Sequence, residues 1–234
     1  MNSSFNPYAV GPVAEAPLET RTDFVRKTYY HLAGAILAFA ALEAVLLAIV
    51  PPEAVFGWLS SGKFNMLLVL GAFMGASYIA NKWAYSSTSK STQYLGLGLY
   101  VVAQAAIFLP MLLFAKLYDP MAIGKAGVVT GGLVLGLTAI AFTTKKDFTF
   151  LGGALKIGGI VAIGLVVSAI LFGFGLGTWF SVGMIVLAAG SILYTTSAML
   201  YHYSPGQHVA ASLSLFASVA TMFYYVLRLF MSRD

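Results

Sequence analysis

Apolar positions along this chain neither alternate nor form narrow stripes. They run on for roughly twenty residues at a time, seven times over, between short polar joints. The runs cover residues 29–50, 64–80, 94–115, 122–143, 151–172, 178–201 and 208–231. A helix rises about 1.5 Å per residue, so each run is long enough to cross the ~30 Å hydrocarbon slab of a bilayer. A membrane β-barrel would instead show alternation over strands of about ten residues. The pattern predicts an all-α, polytopic membrane protein whose seven transmembrane helices form one bundle.

The joints have physical causes. Pro51 and Pro52 end the first run, and residues 81–93 are rich in Ser and Thr. Tyr118, Asp119 and Pro120 make a turn, while Lys145, Lys146 and Asp147 place charges where lipid would not tolerate them. Gly173, Gly175 and Gly177 loosen the fifth joint, and Ser204, Pro205 and Gly206 break the sixth. Residues 1–27 form a polar N-terminal tail and residues 28–234 the membrane domain. The tail has three basic groups (Arg21, Arg26, Lys27) directly before the first run and no apolar core of a cleavable signal, so that run is expected to be a retained anchor.

Composition sharpens this picture. Hydrophobic residues make up 59% of the 234 and charged ones only 9%, against about 25% charged in a soluble domain. A surface so poor in charge belongs in lipid. The net charge of +5 is scattered along the chain, which argues against nucleic acid as a partner. The absence of cysteine excludes disulfides and thiolate metal sites. Basic residues near the odd-numbered ends (Arg21, Arg26, Lys27, Lys82, Lys90, Lys145, Lys146) outnumber those on the other side (Lys63, Lys116, Lys125, Arg233), which puts the N-terminus in the cytoplasm. Glycines four apart, Gly71 with Gly75 and Gly132 with Gly136, are at the spacing that lets two helices approach closely.

Ionisable residues inside the runs are few, and each is a candidate for function because a charge in hydrocarbon is costly. Glu43 stands among Leu, Ala and Val in the first run. It reads equally as a proton or cation ligand facing a cavity and as a carboxyl hydrogen-bonded to a neighbouring helix. Lys156 is near enough to a run end to extend its ammonium to the interface, and Arg228 suits the end of the last run as an anchor. His31, His202 and His208 read as interfacial, with no third ligand for a metal nearby. The chain contains no zinc-binding helix motif, nucleophile elbow, phosphate loop or membrane aspartate pair, so no catalytic residue, metal or cofactor is expected.

Four segments then carry a resemblance. Residues 25–42 read VRKTYYHLAGAILAFAAL, residues 143–153 TTKKDFTFLGG, residues 192–200 ILYTTSAML and residues 212–230 SLSLFASVATMFYYVLRLF. In this order and spacing, covering residues 25–234, they are similar to the Bax inhibitor-1 family, and within it to the bacterial YccA-like branch. The resemblance implies six helices around a central C-terminal seventh, with Lys145, Lys146 and Asp147 in the family's loop motif. It also implies a multi-pass protein of the bacterial inner (plasma) membrane.

For some members the family implies a passive, pH-sensitive calcium leak gated by two facing aspartates. Two close carboxylates share a proton and titrate as a pair. The matching positions here are Thr195 and Ser218, which carry no charge and neither attract calcium strongly nor respond to pH. The YccA-like branch is associated instead with binding a membrane-embedded ATP-dependent protease and modulating membrane-protein quality control under stress. That is the reading favoured here, with the N-terminal tail as the candidate contact. The alternative is a passive leak for calcium or other cations, lined by Glu43, Thr195 and Ser218 and only weakly dependent on pH.

Overall fold

The computed structural model describes residues 11–86, 89–144 and 146–232. Within them eight α-helices follow in order: α1 (Leu18–Ile49), α2 (Pro52–Ser60), α3 (Lys63–Ala84), α4 (Lys90–Tyr118), α5 (Pro120–Thr143), α6 (Gly152–Phe172), α7 (Gly177–Tyr201) and α8 (His208–Met231). Seven are long and apolar enough to cross a membrane, one for each run in the sequence. The eighth, α2, falls within what the sequence suggested was a joint. At nine residues it is about 13 Å long, too short to register as a span, and it folds back over α3 and α4.

Helix ends follow local chemistry. α5 begins with Pro120 in its first turn, and the Asp119 carboxylate accepts the Met121 N–H at 3.0 Å. α6 ends at Gly173, whose φ of 75° lies in the left-handed region that terminates helices and favours glycine. α1 begins at Leu18, right after Pro17. The last ten residues assigned to the polar tail, 18–27, are therefore helical and extend the first span. The preceding residues are docked as well: Val13 is fully buried, and its N–H donates to the Tyr203 carbonyl oxygen at 2.9 Å.

α8 runs through the middle. Of its most apolar stretch 61% is buried inside the protein, against 6% for α3 and for α6. It packs against α1, α3, α4, α5 and α7, while α6 stands at the periphery on α7 and α3. Two buried clusters line its length. One holds Phe24, Met199, Leu213 and Phe216 near the α1 N-terminus, and the other Phe108, Leu112, Met222 and Leu227 toward the opposite end. Phe39 of α1 joins them, meeting Phe108 edge-on at 5.1 Å and Phe216 at 6.0 Å. Such edge contacts add about 0.5–1.5 kcal/mol each beyond simple burial.

Close backbone approach occurs where the glycine spacing did not indicate it. Added Cβ atoms at Gly71, Gly75, Gly132 or Gly136 would meet nothing within 4 Å, so those pairs hold no helices together. The tight point is Gly96 of α4, where a Cβ would lie 2.6 Å from the Ala80 oxygen and 2.7 Å from the Ala84 nitrogen of α3. Spacing marks a small face on a helix; only the packing decides whether another helix covers it.

Candidate functional site: a hydroxyl-lined cavity between α7 and α8

α7 and α8 are joined by residues 202–207 and lie side by side. A helical repeat puts Ser191 and Thr195 of α7 on one face, and Ser214, Ser218 and Thr221 of α8 on the face opposite. All five line an open cavity of about 380 Å³ that is also bordered by Asn81 of α3 and Lys156 of α6. A second cavity, of about 320 Å³, shares Tyr194, Thr195 and Ser214 with the first and continues to Tyr85, His202 and Tyr203 at the α7–α8 joint. Together they make a polar track from the middle of the helix pair to one end of the bundle.

The hydrogen bonds along this track have a definite order. The Ser218 hydroxyl donates its single hydrogen to the Ser214 carbonyl oxygen at 3.0 Å. It therefore accepts from Ser191, whose Oγ is 2.8 Å away. One turn along, the Ser214 hydroxyl is 3.1 Å from that of Tyr203 and 3.5 Å from that of Tyr85, and the two tyrosine oxygens are 2.5 Å apart. Burial pushes the Tyr203 hydroxyl pKa up, and the neighbouring Tyr85 adds to this. It is thus a neutral hydrogen-bonding group at any physiological pH.

Thr195 and Ser218 are both buried and line the same cavity, so the structure brings this expected pair together. The direct partner of Ser218, however, is Ser191, one turn before Thr195. Ser191, Ser214, Tyr85 and Tyr203 were not singled out in the sequence. The signal that could have found them is the spacing of small hydroxyl residues four apart in two successive apolar runs.

Glu43 lies elsewhere. It sits on α1 in register with Phe39 and Leu47, which pack on the cluster of Phe108, Leu112, Met222 and Val226. It is 4% exposed, and neither carboxyl oxygen has a hydrogen-bond partner among the described residues. It does not line the cavity that holds Thr195 and Ser218. Arg228 is ten residues past Ser218 on α8, about 15 Å along the helix, with its guanidinium 5.9 Å from the centre of the Phe180 ring. It too stands apart from the hydroxyl cavity.

In the loop motif, Lys145 lies outside the described residues and Lys146 is exposed. The Asp147 carboxylate accepts the Thr149 N–H at 2.8 Å, and that bond, with one from the Thr149 side chain, holds its pKa below the ordinary value. The next residue fastens the loop to α7, the Phe148 N–H donating to the Ser197 hydroxyl at 3.1 Å. The motif is thus a clasp between the α5–α6 joint and α7.

Among the described residues no carboxylate lines either cavity; the ionisable side chains there are Lys156, His202 and tyrosines. Among the described residues no cluster of three or more His, Cys, Asp or Glu could hold a metal. Hydroxyls in this arrangement can hold water or a neutral polar group. They lack the acidic oxygens with which proteins replace the hydration shell of a divalent cation.

Comparison with known proteins agrees with this architecture. An uncharacterised protein of Pseudomonas aeruginosa is 29% identical over 71% of this chain and 74% of its own length. Protein LIFEGUARD 4 of Arabidopsis thaliana is 28% identical over 94% of this chain and 88% of its own. The protein of Escherichia coli named modulator of FtsH protease YccA is 28% identical over 91% and 93% respectively. A model of the family described as inhibitor of apoptosis-promoting Bax1 matches residues 21–234, and this multi-pass membrane protein belongs to that family, the Bax inhibitor-1 family.

Proposed function

We propose that this protein modulates a membrane-embedded ATP-dependent protease, acting as a binding partner within the bilayer and not as an enzyme or an ion pore. The observation that carries this reading is the Ser191–Ser218 hydroxyl pair, in a cavity that no carboxylate lines. Without an acid to recruit a cation or titrate near neutrality, the cavity lacks the chemistry of a pH-gated calcium leak. The similarity to the E. coli protein named as a modulator of FtsH protease, over most of both chains, supports an interaction role. The bias of basic residues supports an orientation with the N-terminus and the α7–α8 joint on the cytoplasmic side of a bacterial inner membrane.

Co-purification of the full-length protein with such a protease, together with turnover of a membrane substrate, tests this. The expected result is a stable complex and slower degradation of the substrate. A variant lacking residues 2–10 keeps Val13 and the start of α1, and it is expected to lose binding if the tail is the contact. Unchanged binding and turnover would remove the tail from the mechanism. A full-length protein that neither binds the protease nor slows degradation would refute the proposal as a whole.

A further inference from the structure

A separate cavity, sharing no lining residue with the hydroxyl track, lies between α1 and α4. It measures about 560 Å³, is open to the surroundings, and is floored by small and aliphatic residues including Gly34, Ala38 and Gly98. It runs from Tyr30 to Leu42 along α1, twelve residues or about 18 Å. That is a little more than half the ~30 Å hydrocarbon slab, the depth reached by a lipid tail of one leaflet. The glycines are not there for tight packing, because a Cβ at Gly34 or Gly98 would meet nothing within 4 Å.

One end of this groove is polar. His31 and Tyr94 close it, their rings stacked at 5.4 Å. The His31 Nδ1 is 2.7 Å from the Lys27 carbonyl oxygen, an acceptor, so Nδ1 carries a hydrogen, and Nε2 lies 3.2 Å from the Tyr94 hydroxyl. One turn further out on the same two helical stripes stand Lys27 and Lys90, whose charges both reach His208. One acidic group, Asp23, offsets part of this charge, and Arg26, Lys27 and Lys90 together still outnumber it. Asp23 is shared between Arg26 at 2.7 Å and Lys27 at 2.6 Å, and Lys90 donates to the Gly206 carbonyl oxygen at 3.2 Å.

We propose that the α1–α4 groove is a binding site for an anionic phospholipid, one acyl chain lying along Gly34, Ala38 and Gly98 and the phosphate headgroup held by Lys27 and Lys90. Both lysines have long, flexible stems and are exposed, so each can turn from its present oxygen acceptor to a phosphate at the interface. The Tyr94 and Tyr30 hydroxyls lie at headgroup level, where amphipathic aromatic side chains are stable. The charge on these lysines makes the site select by headgroup, and the groove makes it select a lipid over a free ion.

Native mass spectrometry of the full-length protein, titrated with phosphatidylglycerol or with phosphatidylcholine of the same acyl chains, tests the proposal. Tighter retention of phosphatidylglycerol is expected. Lys27→Gln with Lys90→Gln should reduce its affinity by about 25-fold, at about 5-fold per basic group, and leave phosphatidylcholine unchanged. Gly98→Leu, at a position where a Cβ meets nothing within 4 Å, puts a side chain into the groove and should weaken both lipids. Gly75→Leu on α3, also facing open space, is the control for folding and should weaken neither. Equal retention of the two lipids, full phosphatidylglycerol preference in the double lysine variant, or competition by inorganic phosphate as strong as by the lipid would each overturn the assignment.

Discussion

The Ser191 hydroxyl lies 2.8 Å from that of Ser218, and this bond ties α7 to the central helix α8. It is neutral, partly buried and continuous with the Ser214–Tyr203–Tyr85 group one turn away. Its effect is to fix the register of the α7–α8 pair without creating a charge that pH can remove.

A double-mutant cycle measures that bond. Ser191→Ala and Ser218→Ala are each expected to lower stability by about 0.5–1.5 kcal/mol, with a coupling energy near 0.6 kcal/mol, the size found for hydrogen bonds between membrane helices. Reversible unfolding in detergent reads it. Additive losses would show that the two hydroxyls do not act on each other.

Restoring acids should restore titration. In liposomes carrying a calcium dye, the natural chain is expected to give no flux that changes between pH 6 and 8, because no carboxylate lines the cavity. The double variant Thr195→Asp with Ser218→Asp places two acids beside one cavity, and any flux it gains should fall or rise across a coupled protonation step. A pH-gated calcium flux in the natural chain that survives Glu43→Gln would contradict this account of the cavity.

Glu43 is an uncompensated polar group in an apolar setting. Replacing it with leucine is expected to leave stability unchanged or raise it by about 1 kcal/mol, since no described partner is left behind. Thermal melting in detergent is the measurement. A loss of 2 kcal/mol or more, on the order of breaking a real buried network, would reveal a bound partner for the carboxyl.

At Gly96 the smallest change should be felt most. Gly96→Ala drives a methyl into the α3 backbone and is expected to cost about 1–3 kcal/mol by overpacking. Gly71→Ala, with open space around it, should be neutral or slightly stabilising through helix propensity. Comparing the two melting temperatures separates packing from sequence spacing.

The loop clasp has a pH signature. The Asp147 pKa is lowered in the folded protein from its ordinary value of 3.8, so its stabilisation is fully present above that value and is lost as pH falls through the lower, folded one. Asp147→Ala should therefore lower stability at pH 7 by a small amount, under about 1 kcal/mol for a group so exposed, read as a small drop in melting temperature. The difference from the natural chain should begin to shrink below about pH 4 and close as pH falls through the lowered folded value. A difference that persists unchanged at pH 3 would assign the effect to something other than the carboxylate.

The span count, the helical class, the joints at Pro51, Asp119, Gly173 and Pro205 and the two aligned positions Thr195 and Ser218 were legible in the sequence. Each follows from a local rule: chain length against bilayer thickness, a missing amide hydrogen, a left-handed cap, or a motif at fixed spacing. The short helix α2 escaped because nine residues look alike whether they form a joint or a helix folded back on its neighbours. Burial of Val13 could not be read either, for its place is made by the Tyr203 carbonyl nearly two hundred positions away.

What the residues alone decided, then, is that the chain belongs in lipid, with seven helical runs each long enough to cross and few titratable groups within them. Tertiary structure alone decided which hydroxyl answers Ser218, that Glu43 is not in that company, and that Gly96 and not the spaced glycine pairs brings backbones together. In a bilayer every face of an apolar helix is equally soluble. Hydropathy therefore fixes how many helices there are, while shape and hydrogen bonding choose which faces meet.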